Sequence, residues 1–121
     1  MYDHIGLRVK DMAASVRFYE AALAPLGFVL CSRDEQYAGF GPMGAPAFWL
    51  VAAGDARGGA HVAFAATARS VVDRFHRAGV EAGGRDHGAP GLRLDYGPTY
   101  YGAFLLDPDG NNIEAVCTRA A

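Results

Sequence analysis

Cysteine is nearly missing from this chain, and the little there is excludes two ways of holding a small protein together. Cys31 and Cys117 lie far apart with no Cys-x-x-Cys pattern, so neither a disulfide framework nor a cysteine-built zinc clip is expected. Two reduced, partly buried thiols with a packing role remain. An excess of charge of one sign is missing too. The net charge is -2, with acids and bases interspersed and no run of Lys or Arg. A chain that cannot follow a line of phosphates is not expected to bind nucleic acid. No apolar stretch approaches the roughly 20 residues of a membrane helix. The start, Met1 to Lys10, carries Asp3 and His4 and is unlike a signal peptide. The expectation is a cytoplasmic protein with no membrane partner.

What the chain does contain is the balance of a globular protein. It has 51% hydrophobic and 20% charged residues over 121 positions, enough for one core and too short for two ordinary domains. A single domain over residues 1–121 follows. Tyr2 to Val9 alternates, with Ile5, Leu7 and Val9 on one face and His4, Gly6 and Arg8 on the other, as in a half-buried strand. Asp11 can cap a helix running to about Leu23, whose apolar stripe is Ala14, Phe18, Ala21 and Ala22, before Pro25 and Gly27 stop it. Three extended runs follow, at Phe28 to Arg33, Tyr37 to Phe40 and Ala47 to Ala52, separated by Gly41, Pro42, Gly44 and Pro46.

The same order then begins again. His61 to Ala65 reads as a strand and Ala68 to Ala78 as a helix with Val71, Val72, Phe75 and Ala78 on its apolar side and Gly79 at its end. His4 and His61, Ile5 and Val62, Leu7 and Phe64, Phe18 and Phe75, and Gly27 and Gly84 all stand 57 positions apart. An offset that recurs across a strand, a helix and a turn is a repeat. Gly102 to Leu106, a turn at Asp107 to Gly110, and Asn112 to Thr118 complete the second unit. Gly83 to Pro98, rich in Gly and Pro, is expected to be a mobile loop with one short strand around Leu92 to Asp95. The fold class is therefore α+β. Two βαβββ modules, about 1–53 and 60–119, form curved mixed sheets around a cleft, with the helices on the convex side.

Period-two geometry sends His4, His61 and Glu114 away from the apolar side of their strands. Two imidazoles and a carboxylate suit a divalent Fe, Mn, Ni or Zn ion, and three protein ligands leave positions open for water or substrate. Each residue alone is more often a solvated or satisfied side chain. Equivalent placement in a repeat is what makes them one site. His76, on the exposed side of the second helix, is expected to be solvated, and His87 to sit in the Gly-rich loop.

At these residues the chain resembles a known family. Asp3-His4-Ile5-Gly6-Leu7-Arg8-Val9, a helix with Phe18-Tyr19, His61, and Phe104 through Glu114 with its Asp107-Pro108-Asp109-Gly110 turn are similar to the vicinal oxygen chelate superfamily over essentially the whole chain. That group holds glyoxalase I, fosfomycin- and bleomycin-resistance proteins and extradiol dioxygenases. The resemblance implies metal-ligand roles for His4, His61 and Glu114, and a metal that chelates two neighbouring substrate oxygens. It also implies a homodimer in which His4 of one chain joins His61 and Glu114 of the other. Glyoxalase I usually adds a fourth ligand, a Glu, near the end of the first module, where Phe48 to Ala52 has no carboxylate. Dioxygenases usually carry a Tyr where this chain has Phe104. Fosfomycin enzymes grip a phosphonate with cations and hydroxyls, roles open here to Arg8, Arg93, Tyr100 and Tyr101. Trp49, alternating with Phe48, is expected to wall a pocket, which gives Trp49, Arg93, Tyr100 and Tyr101 as substrate-binding candidates. The function expected is a metal-dependent small-molecule enzyme, a lyase, isomerase or thiol transferase. The alternative is a non-catalytic binding protein like the bleomycin-sequestering relatives.

Overall fold

The computed structural model describes all 121 residues. Strand β1 (Ile5–Val9) leads into helix α1 (Met12–Leu23) and a short 3-10 turn, followed by β2 (Val29–Arg33), β3 (Tyr37–Gly41) and β4 (Phe48–Ala52). The second module repeats this with β5 (His61–Ala65), α2 (Arg69–Glu81), β6 (Arg85–Leu92), β7 (Tyr101–Leu106) and β8 (Asn112–Cys117). Two four-stranded sheets result, ordered β1-β4-β3-β2 and β5-β8-β7-β6. In each, the first strand runs parallel to the last and the other pairings are antiparallel. The two sheets do not close on one another through strand pairing, so each keeps its own open face.

Local sequence explains most of this. The Asp11 carboxylate accepts from the Ala14 amide at 3.1 Å and so caps α1. Leu7, Val9, Phe48 and Leu50 from adjacent strands point to the same side and are buried with Val16, Phe18, Tyr19, Ala22 and Leu23 of α1. In the second module Ile113, Ala115, Ala103 and Leu105 meet Val71, Val72 and Phe75 of α2. These residues form one continuous cluster across both modules. Phe64 of β5 extends it by packing on Phe48 at 5.2 Å and Phe28 at 6.0 Å between ring centroids.

Three details depart from the sequence reading. Gly79 does not end α2, which runs on to Glu81. Its role is packing, because a Cβ there would collide with Leu105 and crowd Phe18 and Ala22 of α1. Gly84 is bare for the same reason, and Phe18 fills the space. The segment expected as a mobile loop contains the eight-residue edge strand β6, and Leu94 to Tyr96 are a turn, not a strand. Two register shifts, at Asp86/Gly88 and Gly88/Gly91, break its alternation and hide it from a periodicity search. An edge also tolerates Pro90, which has no N–H to give. Finally, β1 begins at Ile5, so His4 stands just ahead of the ladder.

Candidate functional site

The turn from Asp107 to Gly110 sets the geometry of the second sheet. Asp107 is 2% exposed. Its carboxylate accepts from the amides of Asp109 and Asn111, both at 2.9 Å, and from the Asn111 side-chain amide at 2.9 Å. A fourth donor comes from the other module, the Tyr19 hydroxyl at 2.5 Å. Burial, and then the Asp107 charge, push the Tyr19 phenol well above its usual pKa, so it stays a donor. Asn111 also accepts from the Ala60 amide at 3.0 Å. That bond pins the start of β5 beside β8, so His61 pairs with Asn112 and Ala63 with Glu114.

This register brings two of the three candidate ligands together. The His61 Nε2 lies 2.9 Å from Oε1 of Glu114. Glu114 is 1% exposed, whereas the imidazole is more than half exposed. The other carboxylate oxygen, Oε2, accepts from the Tyr100 hydroxyl in a short hydrogen bond. Desolvation, and then that hydrogen bond, raise the Tyr100 pKa to about 12. Phe104 is the cross-strand partner of Glu114 and lies 6.4 Å from the His61 ring, so it forms the floor of the site. Arg93 lies over Phe104, 5.4 Å from the ring centroid, and donates to the Ala89 carbonyl at 2.6 Å. Gly88 and Gly91 leave room for its guanidinium, and no carboxylate pairs with it.

His4 stands on the other sheet. It lines a cavity of about 550 Å³ with Gly6, Ser32, Asp34, Tyr37, Trp49 and Val51. Its Nδ1 faces Asp3 Oδ1 at 2.7 Å, which leaves Nε2 free to act as an acceptor or ligand. Trp49 faces this cavity and Phe48 the core, which settles their alternation. The indole lies across Gly39 of β3, where a Cβ would stand only 2.8 Å from the ring, and Gly6 of β1 is the strand partner of Trp49 on its other side, with open space above it. Within one chain no third His, Cys, Asp or Glu completes a cluster with His61 and Glu114.

Of the other candidates, Arg93 and Tyr100 are in the site. Tyr101 is on the helix side of its strand, donating to Asp73 of α2 at 2.7 Å with Arg69 stacked 5.2 Å from its ring. Arg8 is engaged with Asp55 at 2.5 Å. His76 is not simply solvated. Its Nε2 meets Asp86 of β6 at 2.8 Å, and that bond holds the Asp86 carboxyl below its usual range. His87 is exposed. Phe104, Tyr37 and Gly39 were not singled out as site residues. Counting back from the Asp107 turn places Phe104 opposite Glu114, and that count was the available signal.

The residues on the second sheet suit a metal. Ligands at about 2.1 Å stand about 3 Å apart in neighbouring octahedral positions and about 3.4 Å apart in a tetrahedron, and the hydrogen-bonded pair His61 Nε2 and Glu114 Oε1, at 2.9 Å, is within that reach. A buried carboxylate already held on its far oxygen also fits a preformed ligand.

The sequence model for the glyoxalase/bleomycin resistance protein/dioxygenase superfamily matches residues 2–115. The chain belongs to that superfamily. A glyoxalase/bleomycin resistance protein from Albidiferax ferrireducens is 31% identical, with a TM-score of 0.84 and 99% of each chain covered. A glyoxalase/bleomycin resistance protein/dioxygenase family enzyme from Burkholderia phytofirmans shares the fold at 19% identity, TM-score 0.74, over 97% of this chain and 98% of that one. A glyoxalase I mutant from Zea mays is 26% identical with a TM-score of 0.69, covering 99% of this chain and 45% of the maize chain. No curated protein matches. The superfamily includes enzymes such as glyoxalase I, and divalent metals are common in it. No helix is long and apolar enough to cross a membrane.

Proposed function

We propose that this protein is a metal-dependent enzyme of the glyoxalase/dioxygenase type acting on a small molecule. His61 and Glu114 of one chain and His4 of the partner subunit would hold a divalent Fe, Mn, Ni or Zn ion. The observation that carries the reading is the 2.9 Å approach of His61 Nε2 to a Glu114 carboxylate that is almost fully buried on an otherwise open sheet face. A second copy is part of the proposal because His4, with its Nε2 free, stands at the start of the other sheet of its own chain, outside any cluster with the pair. A two-fold dimer brings the first-module face of each chain to the second-module face of its mate, giving two equal sites.

When bound, such an ion supplies a Lewis acid for two neighbouring substrate oxygens. The chain's own residues do the rest. Arg93, unpaired and braced on Phe104, is placed to bind and orient an anionic group. Trp49 and Tyr37 wall the cavity and exclude water from an apolar part of the substrate. Lyase, isomerase and thiol-transfer reactions are the classes to screen. The absence of a carboxylate in Phe48 to Ala52 weighs against a lactoylglutathione substrate. The aromatic floor formed by Trp49 over Gly39 favours one second reading, a protein that sequesters a flat ligand without turnover.

Metal analysis by mass spectrometry on protein purified without chelator decides between them. About one equivalent per chain in the wild type and none in folded His61→Ala is the expected result. No metal after reconstitution with Mn, Fe, Ni and Zn would defeat the enzyme reading and favour sequestration.

A further inference from the structure

Tyr100 contributes its hydroxyl to a single place, Oε2 of Glu114. Three features aim it there. The Tyr100 amide donates to the Gly97 carbonyl at 3.3 Å, and the Tyr100 carbonyl accepts from the Arg93 amide at 2.8 Å, the bond that closes the 93–100 turn. Tyr96 packs edge-on against the Tyr100 ring at 5.2 Å. Gly102 has no side chain where a Cβ would lie 3.3 Å from the Tyr100 ring and 3.4 Å from Glu114 Oε2. The two oxygens of one buried carboxylate are thereby made unequal. Oε2 is occupied by a donor, and Oε1 faces His61 Nε2.

We infer that Tyr100 is a positioning residue that holds Glu114 as a one-oxygen ligand, reserving Oε1 for the metal beside His61 and keeping Oε2 out of the coordination sphere. A carboxylate free of this restraint could turn and bind through both oxygens, taking a position that substrate needs. Tyr100 then acts on the number of open positions at the ion and does not itself touch the reacting atoms. Partners of this kind typically change metal affinity by about 10- to 100-fold when removed. The inference rests on the metal site proposed above.

The test is a zinc titration of full-length wild type, Tyr100→Phe, Tyr96→Phe and Glu114→Gln against a chromophoric chelator, with infrared spectra of the zinc-loaded proteins. Tyr100→Phe should still take up zinc, and Tyr96→Phe, which keeps the Tyr100 hydroxyl and the packed ring, should match the wild type. The carboxylate bands that vanish in Glu114→Gln should show the wide splitting of one-oxygen coordination in the wild type. They should narrow in Tyr100→Phe. Unchanged carboxylate splitting in zinc-loaded Tyr100→Phe would overturn the inference and leave the metal site standing. Two-oxygen coordination in the difference spectrum between zinc-loaded and zinc-free wild type would overturn it without relying on any variant to fold. A wild type that binds no zinc, and none of the other three metals, would instead remove the metal site itself.

Discussion

A carboxylate as enclosed as Asp107 persists only because four donors surround it, and one of them, Tyr19, comes from the other half of the chain. A single hydroxyl therefore couples the first helix to the turn that sets the His61–Glu114 register. Tyr19→Phe should lower stability in urea by about 1.5–3 kcal/mol, the range for a hydrogen bond to a buried charge. The sign of its pH dependence follows from the raised Tyr19 pKa. The stabilisation is complete below the unfolded value near 10 and is lost as pH climbs through the higher folded value. The gap between wild type and Tyr19→Phe should thus close in strong alkali, and a constant gap would mean that ionisation of the Tyr19 hydroxyl is not coupled to folding. Gly79 sets two effects against each other. Alanine improves helix propensity by about 1 kcal/mol, but its Cβ collides with Leu105, and overpacking costs about 1–3 kcal/mol. Gly79→Ala should therefore lower the melting temperature. A higher one would show that α1 and α2 can move apart freely.

The strands and helices differ in how openly the sequence announces them. β1, α1 and the β7–β8 hairpin were legible because alternation, the Asp11 cap and the Asp107–Gly110 turn act over neighbouring residues. β6 was not, since two register shifts and the glycines at 88 and 91 erase its period. The site divides the same way. His61 and Glu114 stood out through the repeat and the turn. The cradle of Arg93 depends on where bulges put Gly88 and Gly91, which no spacing rule supplies. β6 is also tied to α2 by His76 and Asp86. The lowered Asp86 pKa means the folded state favours the carboxylate, so this tie stabilises above the unfolded pKa of 3.8 and fades as pH falls through the lower folded value. Wild type should be more stable than Asp86→Asn at pH 6, and the two should converge toward pH 3. Parallel curves would show that the pair contributes nothing to folding. Hydrogen exchange should report the loss in β6 before any other strand.

At the scale of the molecule, one chain carries two unlike half-sites on two unclosed sheets, His4 with Trp49 on one and His61 with Glu114 on the other. The proposed pairing of copies makes a strong prediction. His4→Ala and His61→Ala should each bind no metal alone. Mixed and allowed to exchange, half the dimers become hybrids with one intact site of two, and metal should return to about a quarter of the wild-type amount. No recovery, with exchange shown by mass, would place all ligands in one chain. The sole tryptophan gives this arrangement a further property. Every photon of indole emission from this protein originates on the wall of the His4 cavity, a surface that a second copy would cover. Dilution alone should then shift the emission to the red, and its midpoint would read the self-association constant directly, with no label attached.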